Sequence, residues 1–222
     1  MLTNVFEHVD DITSAWESWY KMLSEQGDNI SSRDGEVIGE ILNAVTVLRN
    51  PINNILESDI RKLSMKYAVG ELLWYISANP KLSEIQKYTT GWNKLSDDGI
   101  NVNSNYGYCI KEKYGFDQFD YIINELKSNP NSRRAVVHIK EPNNKDSKDV
   151  NCTVCLQFFI RDNKLYMTTY MRSNDIWLGF PYDVFQFTNL QILLSMILGL
   201  ELGTYTHVVG SLHLYKRNFK EI

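Results

Sequence analysis

Residues able to do chemistry crowd into one stretch, Asn151 to Gln191 (NCTVCLQFFIRDNKLYMTTYMRSNDIWLGFPYDVFQFTNLQ). It holds Cys152 at the head of a β-type run, an Arg172-Ser173-Asn174-Asp175 cluster, and a Gly179-Phe180-Pro181-Tyr182-Asp183 turn that leads into a helix-type run. A thiol, a guanidinium and carboxyls so grouped suit covalent chemistry on an anionic substrate. A nearby cation raises the thiolate fraction of a cysteine, and a guanidinium grips a phosphate with two parallel hydrogen bonds. Cys152 is the better nucleophile because it stands at the strand mouth, whereas Cys155 lies inside the apolar run; for either one, a small buried hydrophobe is the competing reading.

The elements that must position these groups follow from the pattern around them. Thr153 to Ile160 and Lys164 to Met171 are rich in β-branched and aromatic residues and flank Arg161-Asp162-Asn163, so they read as a hairpin. Side chains alternate along a strand, which puts Cys152 and Cys155 on opposite faces and argues against one metal or one disulfide holding both. With no second ligand pair at zinc spacing, no metal is expected. Val184 to Leu198 reads as a central buried helix, and Leu202 to Val209 as a strand leading to His213 and Tyr215, which share a face.

Upstream, apolar residues recur at helical spacing from Val5 to Leu23 and from Asp59 to Ile76. Gly27 to Gly35 reads as a loop, Glu36 to Leu48 as a strand, Phe116 to Leu126 as an amphipathic helix and Ala135 to Ile139 as a strand preceded by Arg133 and Arg134. Glu71 sits in an apolar Gly-Glu-Leu-Leu-Trp context, where a carboxylate is costly unless paired. Trp92 and Tyr106 read as aromatics in a loop-rich region, open to stacking or to packing.

The bounds are those of one α/β domain over residues 1–222: 222 residues, 43% hydrophobic, net charge −4. That charge gives no sign of a nucleic-acid groove. Three unevenly spaced cysteines suit a reducing cytoplasm. The acidic N-terminus lacks a charged-then-apolar leader, and the most apolar stretch, Ile192 to Leu200, is far short of the roughly 20 residues that span a bilayer. A soluble protein without membrane partners is expected.

Several motifs in register then resemble one family: Asn131-Ser132-Arg133-Arg134, Cys152-x4-Gln157-Phe158, Arg172-Ser173-x-Asp175, Leu178-Gly179-x-Pro181-x-Asp183 and His213-x-Tyr215. They follow the order and spacing of the thymidylate synthases and cover roughly residues 33 to 219. The resemblance implies a mixed central sheet flanked by helices, with one sheet face used for a homodimer, and a site that takes a pyrimidine nucleotide and 5,10-methylenetetrahydrofolate. It implies Cys152, Glu71, Asp175 and Tyr106 as the catalytic group, and Asp183 and Gln157 at the base. Arg33, Arg172 and Ser173 fall at phosphate positions, together with Arg133 and Arg134 reaching across the dimer. His213 and Tyr215 fall at the sugar, and Trp92, Asp175 and Gly179 at the folate.

Three departures from the family pattern select a branch. Asp183 stands where thymidylate synthases carry asparagine; an amide suits uracil, whereas a carboxyl matches the acceptor at N3 and the amino donor at C4 of cytosine. Cys152-Thr153 replaces Cys-His and Gly210-Ser211 replaces Gly-Asp, which looks like the deoxycytidylate hydroxymethylases. The implied reaction adds the Cys152 thiolate to C6, lets C5 attack the folate methylene, expels tetrahydrofolate and admits water ordered by Glu71. The expected product is 5-hydroxymethyl-dCMP, with CMP as the other sugar. In the family a C-terminal tail closes over the folate, whereas this sequence ends at Ile222, so a looser lid is expected. Competing readings are a thymidylate synthase acting on dUMP, a non-catalytic nucleotide-binding homodimer and, weakest, a Cys152/Cys155 redox protein.

Overall fold

The computed structural model describes residues 3–32, 35–142 and 146–219. Its elements run β1 (Phe6–Val9), α1 (Ile12–Gln26), β2 (Asp28–Ser31), β3 (Val37–Leu48), α2 (Met65–Ser77), α3 (Leu82–Ile85), a 3-10 turn (Gly91–Lys94), α4 (Tyr106–Lys111), α5 (Gln118–Ser128), β4 (Val136–His138), β5 (Thr153–Arg161), β6 (Lys164–Asp175), α6 (Phe180–Leu198), β7 (Glu201–Tyr215) and a 3-10 turn (Lys216–Asn218). Two compact units result: residues 1–63 with 161–222, and residues 64–160.

The first unit is built on a mixed sheet. β7 is its spine, antiparallel to β3 on one side and parallel to β6 on the other, while β1 (parallel) and β2 (antiparallel) pair with opposite ends of β3. The parallel β6–β7 pair needs a crossover, and α6 supplies it, packing on both strands. Pro181 sits at the start of α6, where its missing N–H costs nothing, and Gly199 ends the helix in the left-handed region at φ 66°. The core aromatics of α1 keep their polar atoms satisfied: Trp16 Nε1 donates to the Ile176 carbonyl at 2.8 Å and Trp19 Nε1 to Thr46 Oγ1 at 2.8 Å. Each buried ring contributes about 2–3 kcal/mol.

The second unit packs α2, α4 and α5 with the antiparallel β4–β5 pair, whose register sets Val136 opposite Gln157 and His138 opposite Cys155. Gly107 lets α4 approach the Tyr75 carbonyl of α2, where any Cβ would collide with the backbone. Asp162 and Asn163, at φ 49° and 59°, form a two-residue turn between β5 and β6, while Arg161, expected in that turn, ends β5.

Three expected boundaries move. Val5 to Val9 is not helical: β1 is claimed by its ladder with Val45 to Leu48, and Asp11 caps α1 by accepting from Ser14 N at 2.8 Å. Gly27 to Gly35 is not all loop, because the polar edge strand β2 pairs with Val37 to Glu40 and shows no apolar alternation to betray it. Helix α2 starts at Met65 rather than Asp59; Ser64 caps it, and Arg61 before the cap spends its guanidinium on the carbonyls of Lys62 and Trp177.

Candidate active site

In the sheet unit, β6 ends by presenting Arg172, Ser173, Asn174 and Asp175, and the β7 register places Ser211 beside Ser173 and His213 beside Asp175. Arg172 is exposed and Ser173 half-buried. Asp175 Oδ1 accepts from Trp177 N at 2.8 Å and Leu178 N at 3.1 Å, so this carboxylate shapes the turn into α6. Burial raises its pKa, against the opposing pull of His213, these two N–H groups and Arg61. Arg61 is buried, donates from Nε to the Trp177 carbonyl at 2.8 Å and lies over the Trp177 and Tyr182 rings at 5.8 and 5.5 Å.

Asp183 lies in the first turn of α6, and Asn174 Nδ2 donates to its Oδ2 at 2.7 Å. Gly179 makes that contact possible: a Cβ there would fall 2.8 Å from Asn174 Nδ2 and 3.0 Å from Asp183 Oδ2. Behind Asn174, His207 Nε2 is 2.9 Å from Asn174 Oδ1, and Tyr205 Oη is 2.7 Å from His207 Nδ1. His213 and Tyr215 share a face as expected, their rings edge-on at 5.4 Å, with the Arg217 guanidinium 4.1 Å from the Tyr215 ring centre.

The second unit holds the other group. Glu71 is only 4% exposed, and Tyr67, one helical turn earlier, donates its hydroxyl to Oε1 at 2.6 Å. Trp92 Nε1 donates to the same Tyr67 oxygen at 3.2 Å, and the Trp92 ring lies 5.6 Å from Trp74. Tyr106 departs from expectation: it is no loop aromatic but the first residue of α4, 5% exposed and packed on Tyr75 at 5.2 Å, because Asn105 caps the helix at that point.

Cys152 is half-buried and stands immediately before β5. All three cysteines are free thiols; burial pushes Cys109 up to about 11 and raises Cys155 as well, so those two stay protonated at neutral pH. The approach to Cys152 is pinned from Ser104, whose N–H donates to Asp149 at 2.6 Å, and through Asn151, whose amide donates to the Asn103 carbonyl at 3.3 Å. Gln157 donates to the Arg133 carbonyl at 3.3 Å, and Ser132 fixes the backbone under the exposed Arg133 and Arg134 by accepting from Arg134 N at 3.0 Å. Arg33 lies outside the described residues. Among the described residues no cluster of His, Cys, Asp and Glu is arranged to hold a metal, and no helix is long and apolar enough to cross a membrane.

Reasoning from sequence passed over Tyr67, Arg61, Tyr205 and His207. Tyr67 had a signal, its i, i+4 spacing to Glu71. Tyr205 and His207 had the spacing of a shared strand face, but the contacts that tie His207 to Asn174 and Arg61 to the Trp177 carbonyl lie far along the chain.

This mixed α/β architecture, with a cysteine at a strand head and a carboxyl-bearing helix start, is that of a known enzyme fold. The chain superposes on the thermostable thymidylate synthase A of Bacillus subtilis with a TM-score of 0.77 and 26% identity, over 93% of this chain and 81% of that one. The family model described as thymidylate synthase matches residues 14–222. Thymidylate synthases of Bacillus mojavensis and Bacillus phage phi3T are 31% and 30% identical over 172 residues, 73% of this chain. The chain spans 61% of the length of each of these two relatives. It belongs to the thymidylate synthase family.

Proposed function

We propose that the protein is a one-carbon transferase acting at C5 of a pyrimidine nucleoside monophosphate. The observation that carries this reading is the family match across residues 14–222, with Cys152, the Arg172 cluster and the His213-Tyr215 pair in register. Cys152 Sγ adds to C6 of the ring, pairing C5 with a one-carbon electrophile, and leaves again when the C5 product is released. 5,10-Methylenetetrahydrofolate supplies the one-carbon unit and, in a methylation, the hydride. The half-buried Trp92 ring, with its N–H already committed to Tyr67, suits a flat heteroaromatic of that kind. Glu71, Tyr67 and Trp92 hold a proton or a water at the reacting carbon. Tyr106 supports the thiol's surroundings, Gln157 and Asp183 meet the base, His213 and Tyr215 the sugar. Arg33, Arg172 and Ser173 meet the phosphate, with Asp175 and Gly179 shaping the folate side. Residues 1–222 act as one catalytic domain in a cytoplasmic homodimer that joins through a sheet face. There Arg133 and Arg134 serve the partner's phosphate.

The names of the relatives favour methylation of dUMP, the thymidylate synthase reaction. A second reading, hydroxymethylation of dCMP or CMP, is favoured by one observation: the residue at the base position is the carboxyl of Asp183, held through Oδ2 as an acceptor. Loss of tritium from C5-labelled dCMP, CMP, dUMP and UMP in the presence of methylenetetrahydrofolate decides between them, with Cys152→Ala as the control. Cys152-dependent release from a cytidine nucleotide, without dihydrofolate, establishes hydroxymethylation. Release from dUMP with dihydrofolate establishes the thymidylate synthase reaction. Binding without any release leaves a nucleotide-binding homodimer.

A further inference from the structure

Behind Asp183 lies a row of polar groups in an apolar setting. Asn174 is 3% exposed and His207 and Thr169 are wholly buried, as is Tyr205 to within 1%. The contacts run from Asp183 Oδ2 to Asn174 Nδ2 (2.7 Å), from Asn174 Oδ1 to His207 Nε2 (2.9 Å), from His207 Nδ1 to Tyr205 Oη (2.7 Å), and from Tyr205 Oη to Thr169 Oγ1 (3.1 Å). The Phe180 ring stands edge-on to the imidazole at 5.3 Å and fixes its plane. Nothing in the reaction itself requires four buried polar residues in a line behind Asp183, and buried polar groups are costly unless each is matched.

The matching has a direction. Asn174 gives its N–H to Asp183, so its carbonyl must accept, and the only donor at that oxygen in this row is His207 Nε2–H. Burial lowers the His207 pKa to about 3, so the ring is neutral and carries one N–H. Nδ1 is then an acceptor, and Tyr205 Oη, which lies 2.7 Å from it and also reaches Thr169 Oγ1 at 3.1 Å, is the hydroxyl donor facing it. Of the two oxygens of a protonated carboxyl the carbonyl oxygen is the better acceptor, so an amide N–H on Oδ2 favours the acid proton on the other oxygen. Any proton on this carboxyl therefore sits on Oδ1.

We propose that Asn174, His207 and Tyr205 are positioning residues that fix Oδ2 of Asp183 as an acceptor and so make the carboxyl read cytosine and reject uracil. The inference rests on the cytidine reading of Asp183 given above. A neutral carboxyl is two-faced: exchanging the proton between its oxygens converts a face that fits cytosine (donor to N3, acceptor from the C4 amino group) into one that fits uracil. The relay removes the second face. Uracil would then set its O4 or N3–H against a like group, and an unmatched buried polar pair discriminates strongly. If the carboxyl is ionised and N3 is protonated, both oxygens accept and the same preference holds. Gly179 belongs to this device, since a methyl there would wedge between Asn174 and Asp183.

The test compares kcat/KM for C5 tritium release from dCMP, CMP, dUMP and UMP in the wild type and in His207→Phe, His207→Gln, Asn174→Ala and Tyr205→Phe. Tyr205→Phe keeps its ring and reports even where His207→Phe fails to fold. The expected result is a cytidine-selective wild type, a cytidine-to-uridine ratio reduced about tenfold in His207→Phe and Asn174→Ala, and about threefold in Tyr205→Phe. In His207→Gln, whose amide can donate to Asn174, the ratio recovers in part. A merely structural role lowers all four nucleotides alike, and a cytidine-selective wild type whose variants keep the same ratio overturns the relay while leaving the reading of Asp183 intact. A wild type that releases tritium from uridine nucleotides alone overturns both.

Discussion

Two carboxyls, the buried Glu71 and the half-buried Asp183, each receive a chain of donors, and the chains are built differently. Glu71 is served by Tyr67 one turn away on α2 and, through it, by Trp92, three residues spread over only 26 positions. Asp183, on α6, is served by Asn174 on β6, then His207 and Tyr205 on β7, drawn from two strands of the sheet unit. The Tyr67 hydroxyl rotates, so it can follow a change in the protonation of Glu71; the Asn174 amide is held at both ends and cannot. The first arrangement suits a group that moves protons, the second a group that must present one fixed pattern.

The widest separation between them is expected from isosteric amides. Glu71→Gln keeps an oxygen for Tyr67 and, on the proposed role of Glu71, removes the base, so it should slow turnover of every nucleotide by about 10²–10⁴-fold. Asp183→Asn should instead redistribute preference toward uridine nucleotides. Equal losses on all substrates from both variants would erase the distinction, and steady-state kinetics on the four nucleotides measures it.

Stability against pH probes the rigid side. His207 ionises near 6.5 in an unfolded chain and at about 3 when buried here. The unfolded state binds the extra proton, so stability is complete above the unfolded value and is lost as pH falls toward the folded one, by a few kcal/mol. Urea melts from pH 7 to 4 should show this slope in the wild type and a shallower one in His207→Phe. Asp175 has the opposite sign: burial raises its pKa, so its contribution is present below the ordinary carboxylate range and falls as pH rises through the folded value. Asp175→Asn should therefore raise the urea midpoint at pH 7 and leave it unchanged at about pH 3.

The smallest effect is expected on the flexible side. Tyr67→Phe deletes one hydroxyl that serves both Trp92 and Glu71. A net hydrogen bond contributes about 0.5–1.5 kcal/mol, so the rate should fall no more than about tenfold, with the base preference untouched. A change in preference would tie Glu71 to base reading and blur the contrast.

What the sequence determined by itself is whatever lies close along the chain. The Asp162-Asn163 turn, the long helix that fills α6, the β3 and β7 runs and the placement of Cys152 before β5 all follow from local chemistry: positive-φ residues, apolar periodicity and strand propensity. So does the motif register that marks the family, and the choice of a carboxyl at position 183. The tertiary structure alone decided what those groups touch. β1 and β2 needed β3 to become strands, since each is only four residues long; β1 finds its partner some forty positions on, and the polar β2 shows no apolar alternation of its own. Tyr106 became a packed helix residue because Asn105 capped α4 against Tyr75. His207 shares a strand face with Tyr205, but its partner Asn174 is 33 positions away, and only the folded β6–β7 pair brings the imidazole behind the Asp183 carboxyl. Hydrogen-bond direction depends on which neighbours remain once water is excluded, and that is a property of the folded interior.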